Sequence, residues 1–154
     1  MRQCIGIHSI GRSRVVAPDG NWRSDVALLG ILFDMAVGFR PGARLAPRAM
    51  REASLRFSLG LAGSNDLREG CSRLAGLKIC DAADVDLPTL EPELARALIG
   101  EAKREIRAKR RLPVFLGGHH SVKYPILRAF DEVANLEIVL IDAHLDSTPA
   151  RSAS

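Results

Sequence analysis

The feature that most limits how this chain can fold is a ten-residue stretch, Glu137 to Asp146, which reads E-I-V-L-I-D-A-H-L-D. Four consecutive apolar residues between two charged ones are typical of a strand that is buried on both faces of a parallel sheet. The sequence therefore predicts a strand from Glu137 to Asp142 inside an α/β protein.

The polar end of this stretch has the composition of a metal site. Asp142, His144 and Asp146 occupy every second position, and alternate side chains of an extended segment share one face. Carboxylate and imidazole groups are both common ligands of divalent metal ions. A single Asp or His at a strand end is more often a turn or capping residue, but three alternating ligand types favour metal binding.

A second apolar run, P-V-F-L-G from Pro113 to Gly117, is followed by Gly118 and then by His119, His120 and Ser121. Adjacent glycines allow a tight turn, and ligands of open α/β sheets bind at the carboxyl ends of the strands. The two glycines lack the spacing of a nucleotide-binding loop. The run therefore predicts a strand that delivers a histidine to the same edge of the sheet.

The segments G-G-H-H-S and D-A-H-L-D together resemble the ureohydrolase superfamily of arginases, agmatinases and formiminoglutamases, which hydrolyse guanidinium groups with a pair of manganese ions. The usual family pattern is G-G-D-H-S and D-A-H-x-D, so His119 stands where the family has Asp. The segment R-P-G-A-R-x-x-P-x-x-x-R-x-A-S, which begins at Arg40, is also similar to agmatinase-type members. For Arg40 and Arg44, loop solubility is an equally good interpretation.

The resemblance implies a set of four metal ligands: His120, Asp142, His144 and Asp146. His120 and Asp146 would bind one Mn²⁺ ion, His144 would bind the other, and Asp142 would bridge them. Asp146 would also be the catalytic residue, which orients the attacking hydroxide and passes its proton toward the leaving nitrogen. His119 would disturb the shell that orients His120, or would be a tolerated edge histidine.

Strands alternate with helices along the rest of the chain, which indicates a mainly parallel sheet between helical layers. By resemblance this is a three-layer α/β/α, arginase-like fold that is truncated. Residues 1–24 form an irregular leader, residues 25–146 the N-terminal half of the domain, and residues 147–154 a polar tail. Further predicted elements are strands at 25–34 and 77–81 and helices after Pro47, at 93–109 and at 121–131.

Three details of these elements can be checked. The helix after Pro47 is expected to bury Met50, Ala53 and Phe57. The helix at 93–109 is expected to bury a face made of Leu94, Leu98, Ala102 and Ile106. In the turn after the strand at 77–81, Ala83 stands where the family often has Gly.

Composition adds limits on the class of protein. The 154 residues are 47% hydrophobic and 26% charged, which suits one globular unit, and no apolar stretch is long enough for a membrane span. Three cysteines without metal spacing are expected to be free thiols in a cytoplasmic protein. The net charge of +4 raises nucleic acid as a partner, but the basic cluster from Lys103 to Arg111 alternates with glutamates, which favours a solvated helix face.

The resemblance ends near Asp146, whereas family members continue for about as many residues again and carry further metal ligands there. We therefore expect a truncated or frameshifted chain, with an incomplete ligand set. In the family sheet, two strands from the second half separate the strand at 113–117 from the strand at 137–142. Both strands would then have open edges in this chain.

The function that the resemblance implies is manganese-dependent hydrolysis of a small linear guanidino compound, agmatinase-like, with release of urea and an amine, as in polyamine metabolism. The expected partners are the substrate and either further copies of the chain or a complementing chain, with no nucleic acid and no membrane. One alternative is an inactive truncated remnant or interaction protein that retains partial metal binding. A basic nucleic-acid-binding module is a third possibility that rests on charge alone.

Overall fold

The computed structural model describes residues 8–17, 20–35, 37–57, 63–88, 90–130 and 136–142. Four parallel strands form the main sheet: Arg14–Val15 (β1), Ser24–Ile31 (β2), Ile79–Val85 (β5) and Arg110–Gly117 (β6), in the order β1-β5-β2-β6. Strands Ser64–Asp66 (β3) and Cys71–Arg73 (β4) form a separate antiparallel hairpin. The predicted mainly parallel α/β fold is confirmed.

Three helices cover the sheet: Ala46–Ser54 (α1), Pro92–Lys109 (α2) and Lys123–Arg128 (α3). The fully buried residues Ala27, Leu29 and Ile31 of β2 share one core cluster with α2 and α3, which contribute Ile99, Ile106 and Ile126. The intervening position Gly30 lies against Pro47 of α1. Since alternate residues of a strand face opposite sides, α1 lies on one side of the sheet and α2 with α3 on the other. None of the described helices has the length and apolar character that a membrane span requires.

The buried side of α1 differs from the prediction. Met50 is 37% exposed and Phe57 is 68% exposed, and Ala53 is also exposed. The helix instead buries Pro47 and Arg51. The apolar spacing was misleading because the part of the sheet beneath α1 presents carboxylates rather than an apolar surface.

The buried face of α2 is rotated by about one residue from the prediction. Leu94 is 45% exposed, whereas Ala95 and Ile99 are buried, and Ile106 is buried as expected. The same rotation buries Lys103, which the sequence placed on a solvated face. Its Nζ donates a hydrogen bond to the Ala129 carbonyl at the end of α3 and lies 3.4 Å from the centre of the Phe130 ring.

The N-terminal segment is less irregular than predicted. Arg14 and Val15 form the edge strand β1, which pairs with Cys80 and Asp81 of β5. β5 itself begins two residues later and runs four residues further than the predicted strand 77–81. Among the cysteines, Cys71 and Cys80 are free thiols as predicted, and Cys4 lies outside the described residues.

One extra residue is inserted into β5 as a β-bulge. Leu28 of β2 pairs with Asp81 of β5. Gly30, two residues after Leu28, pairs with Asp84, which is three residues after Asp81. Ala83 in the bulge has a φ of 59°, in the left-handed region where a residue other than glycine is strained. The bulge turns Asp81 and Asp84 to the same face, although residues three apart in a regular strand face opposite sides.

Arg51 of α1 occupies the space in front of these two carboxylates. Its Nε and Nη2 donate to the two oxygens of Asp81 at 2.8 and 2.9 Å, and its Nη1 donates to Asp84 at 2.6 Å. A further bond runs from Nη2 to the Ala83 carbonyl at 2.9 Å. A Cβ at Gly30 would lie 1.8 Å from the Asp84 carboxylate, so the network requires glycine at that position.

The predicted strand from Glu137 to Asp142 is wrong as a description of this structure. The segment has no strand geometry, and Val139 and Ile141 are 90% and 96% exposed. β6 is the last strand of the sheet, and no described strand pairs with its outer edge. A strand buried on both faces needs a neighbour to satisfy its backbone, and the described chain gives this segment none.

Candidate metal centre

The candidate site lies at the carboxyl edge of the sheet, beyond the neighbouring strands β2 and β6. The chain leaves β6 at Gly117, and His120 begins a short 3₁₀ turn, His120–Val122, which leads into α3. On the adjacent strand, Asp34 follows the end of β2 by three residues. Parallel pairing of the two strands therefore brings both loops to the same edge.

His120 and Asp142 are in direct contact. His120 Nδ1 lies 3.0 Å from Asp142 Oδ2, and the two side chains are 21% and 26% exposed. The pair joins the loop after β6 to a segment 22 residues later that is not part of the sheet. The separation is that of a hydrogen bond between an imidazole and a carboxylate. It is also about the distance between adjacent donors around one hexacoordinate ion with metal–ligand distances of about 2.1 Å.

His119 faces a different partner. Its backbone is extended, and its Nδ1 accepts a hydrogen bond from the Ser121 amide at 3.2 Å and lies 2.7 Å from the Ser121 hydroxyl. Its ring also meets the edge of Phe33, with 6.4 Å between ring centres. His119 thus caps the 3₁₀ turn that begins at His120, and this cap helps to orient the turn.

The loop before α1 packs directly on the histidine loop. A Cβ at Gly118 would lie only 1.8 Å from the Ala43 carbonyl oxygen, so the two backbones touch and no other residue fits at position 118. This contact explains the second glycine of the G-G-H-H-S segment. It also ties the position of His119 and His120 to the position of the loop from Gly42 to Arg44.

Asp34 in turn holds that loop. Its side chain is buried and accepts hydrogen bonds from the Gly42 amide at 2.8 Å, from the Arg44 amide at 3.4 Å and from Arg44 Nε at 2.7 Å. The bond from the Arg44 side chain lowers the pKa of Asp34, although burial acts in the opposite direction. The carboxylate is therefore ionised at neutral pH, and Arg44 has a structural role beyond loop solubility.

A cavity of about 350 Å³ borders His120. It is open to solvent and is lined by His120, Ser121, Lys123, Tyr124, Leu127 and Arg128. Its volume is within the range of about 300–1,000 Å³ that is usual for small-molecule sites. The guanidinium of Arg128 lies 5.7 Å from the centre of the Tyr124 ring, and Lys123 is a second cationic residue of the lining.

Two of the four predicted ligands, His144 and Asp146, lie outside the described residues. Within the described part of the chain, no three His, Cys, Asp or Glu side chains come close enough to hold a metal ion together. The structure thus brings together His120 and Asp142, one imidazole and one carboxylate. Nitrogen and oxygen donors of this kind suit manganese.

Comparison with known proteins identifies the family. A model described as the arginase family matches residues 24–154. The chain belongs to the arginase family. It is 36% identical to an agmatinase of Pyrococcus horikoshii over 125 residues, which are 80% of this chain and 41% of that protein.

Solved structures agree with this membership. A hypothetical agmatinase from Burkholderia thailandensis has a TM-score of 0.59 and 34% identity, with 69% of this chain and 32% of that one covered. Trypanosoma cruzi formiminoglutamase, solved with Mn²⁺, has a TM-score of 0.58 and 27% identity, with 69% and 34% covered. The chain spans about half or less of the length of the curated arginase-family relatives that it matches.

Sequence reasoning missed two residues that shape this edge of the sheet. Arg51 was read only as part of the agmatinase-like segment, and nothing in helical periodicity indicated that it is buried. Asp34 was expected only as the last residue of the strand predicted at 25–34, at the same kind of edge as the ligands. The pairing of Asp34 with Arg44, ten residues later across a Pro-Gly turn, is the signal that could have indicated the clamped loop.

Proposed function

We propose that this chain supplies part of the metal site of a manganese-dependent ureohydrolase that acts on a small linear guanidino compound. The observation that carries the proposal is the contact between His120 and Asp142, whose donor atoms are 3.0 Å apart at the carboxyl edge of an arginase-family sheet. We rank agmatine-like substrates first because the segment from Arg40 to Ser54 is agmatinase-like and because the relatives include agmatinases.

In this proposal His120 and Asp142 hold manganese, together with His144 and Asp146. Two divalent ions, when bound, supply a water of lowered pKa and polarise the substrate. The chain's own groups have the remaining tasks. Asp146 accepts the proton of the attacking water and passes it toward the leaving nitrogen, which departs as an amine while urea is formed.

The proposal includes a partner for the open edge of β6. The exposed apolar segment from Ile138 to Ile141 and the outer edge of β6 both lack a neighbour among the described strands. We propose that a second polypeptide, either a copy of this chain or one that carries the rest of an arginase-family domain, pairs there and adds ligands to the site. We also propose a cytoplasmic location, in keeping with the free thiols of Cys71 and Cys80.

Titration of the metal-free chain with Mn²⁺ tests the metal assignment. We expect His120→Ala and Asp142→Asn each to weaken Mn²⁺ binding by about tenfold or more, because each removes one donor from a small set. Asp66→Asn, on the surface hairpin, is the matched control and should leave affinity unchanged. Equal affinity in all four proteins would refute the assignment.

Urea release from agmatine and arginine tests the reaction. It should be measured for the chain alone and for the chain co-expressed with the C-terminal part of an arginase-family enzyme. Activity that appears on complementation and disappears with Asp142→Asn supports the proposal. Manganese binding without activity in either case would support the alternative of an interaction protein that retains a partial metal site.

A further inference from the structure

A second cavity lies at the opposite edge of the sheet, where the amino ends of β1, β2 and β5 meet. Its volume is about 340 Å³, which is within the range of about 300–1,000 Å³ for small-molecule sites. It shares no lining residue with the cavity at His120. We call it the amino-edge cavity, and its polar and charged lining consists of Arg12, Ser13, Arg14, Trp22, Arg23, Ser24, Lys78 and Cys80.

The amino-edge cavity has a strongly one-sided charge. Among the described residues, four cationic side chains line it, Arg12, Arg14, Arg23 and Lys78, and no aspartate or glutamate does. None of the four forms an ion pair with a carboxylate in the described part of the chain. A concave surface lined by charges of one sign concentrates its field and attracts a counter-ion.

The wall of the cavity also contains a hydroxyl group that lacks a partner. Ser13 Oγ is buried and forms no hydrogen bond among the described residues. The neighbouring polar groups are satisfied, since Trp22 Nε1 donates to the Ala17 carbonyl at 2.7 Å and Cys80 donates to Ser24 Oγ at 3.2 Å. A buried hydroxyl without a partner is unfavourable unless a ligand or water accepts a hydrogen bond from it.

Backbone hydrogen bonds on both sides fix the segment that carries Arg12, Ser13 and Arg14. The Ile10 amide donates to Asp81 at 3.1 Å, and the Gly11 amide donates to Ser54 Oγ at 2.8 Å. After the segment, the Val16 amide donates to the backbone carbonyl of Asp81 at 2.9 Å. A fixed backbone lowers the entropy cost of closing several cationic side chains around one ligand.

We propose that the amino-edge cavity binds a small, multiply charged oxyanion, carried by a phosphorylated or polycarboxylated molecule. Guanidinium groups bind phosphate and carboxylate oxygens through paired N–H donors, and Ser13 adds a neutral donor. The four cations line one concave site, which favours a compact ligand over a nucleic-acid backbone. The site is separate from the metal centre and does not depend on the proposed hydrolase function.

Calorimetric titration of the whole chain with inorganic phosphate and with citrate, at constant ionic strength set by chloride, tests the inference. We expect one saturable site for at least one of the two anions. Phosphate alone would indicate a phosphoryl ligand, and citrate alone a polycarboxylate. Arg14→Gln and Arg23→Gln should each weaken binding about tenfold, since each removes a charge-assisted bond, and Ser13→Ala should weaken it by a smaller factor.

Arg68→Gln is the matched control, because it removes the same charge from the exposed turn of the β3–β4 hairpin. It should leave binding unchanged. Where an arginine variant fails to fold, Lys78→Gln, whose side chain is exposed, takes its place. Equal weakening by Arg68→Gln, the absence of a saturable site for both anions, or binding only to DNA with strong salt dependence would overturn the proposal.

Discussion

The guanidinium of Arg51 and the carboxylate of Asp81 form a two-pronged ion pair with N···O distances of 2.8 and 2.9 Å, and both side chains are at most 2% exposed. Asp81 also accepts hydrogen bonds from the amides of Ile10 and Ala83. One carboxylate therefore joins α1, the N-terminal segment and the bulge of β5. A buried pair of this kind is destabilising to break because either partner alone is a buried charge without compensation.

Substitution of Arg51 should show how much the buried pair with Asp81 contributes to stability. Arg51→Met keeps most of the side-chain volume but leaves Asp81 buried without its partner, and we expect the free energy of unfolding to fall by about 3–5 kcal/mol. Urea denaturation measures the change. Arg48→Met removes an arginine from the exposed face of the same helix, where Arg48 pairs with Glu52, and should have little effect. Similar losses in both variants would contradict the role of the buried pair.

The strained backbone at Ala83 predicts a stabilising substitution. Ala83→Gly removes a Cβ from a residue with a φ of 59°, and we expect a gain of up to about 1 kcal/mol after the greater flexibility of the unfolded chain is included. Ala82→Gly is the control, since Ala82 is fully buried without positive φ and should lose about 1 kcal/mol. A loss of stability in Ala83→Gly would mean that the bulge does not strain the backbone.

The clamp between Asp34 and the loop from Gly42 to Arg44 predicts a dependence on pH. The pKa of Asp34 is lowered in the folded chain from its ordinary value of 3.8, mainly by the side chain of Arg44. Its contribution to stability is therefore complete above about pH 4 and is lost as the pH falls through the lowered folded-state pKa. Asp34→Asn should lower Tm by a constant amount between pH 5 and 7, and the difference should shrink below pH 4. A Tm difference between the two proteins that grows as the pH falls below 4 would contradict this prediction.

His119 offers a test of the departure from the family pattern. An aspartate at this position can accept the Ser121 amide bond that His119 Nδ1 now accepts, so His119→Asp should preserve the 3₁₀ turn. It also restores a negative charge beside the proposed ligand His120, and we expect Mn²⁺ affinity to rise by about tenfold. His119→Asn caps the turn without the charge and should leave affinity unchanged. Equal Mn²⁺ affinities of the wild-type chain and the two variants would mean that the residue at position 119 does not affect metal binding.

The exposed apolar segment from Ile138 to Ile141 predicts self-association of the isolated chain. Ile141 is 96% exposed, and the outer edge of β6 has no partner among the described strands. Exposed apolar segments and open sheet edges pair with available strands. Ile141→Lys should raise the concentration at which larger species appear in size-exclusion chromatography. Leu90→Lys changes a residue that is 87% exposed outside the segment and should have no such effect. Hydrogen exchange should show protection of Ala27 to Ile31 and none at Val139 to Ile141 if the chain is a monomer.

The sequence predicted those parts of the fold that depend on local pattern. β2 was recognised because both of its faces are buried, so its apolar run is continuous. α3 lies within the helix predicted at 121–131, and its Ile126 packs on the core. The burial of Arg51 and Lys103 was not predicted, because it depends on carboxylates and a carbonyl group from distant parts of the chain. The segment after Glu137 has the composition of a strand but lacks a neighbouring strand among the described residues. The composition of a segment does not show whether such a neighbour is present.

The extra residue at Ala83 makes the length of β5 matter more than most of its side chains. Insertion of one further residue between Asp81 and Asp84, with the pairing still absorbing only one extra residue, would turn Asp84 toward the side of the sheet that holds Ile99 and Ile106. A carboxylate would then enter an apolar layer, and Arg51 would lose one of its two partners. Natural variation between Asp81 and Asp84 should therefore show substitutions far more often than insertions.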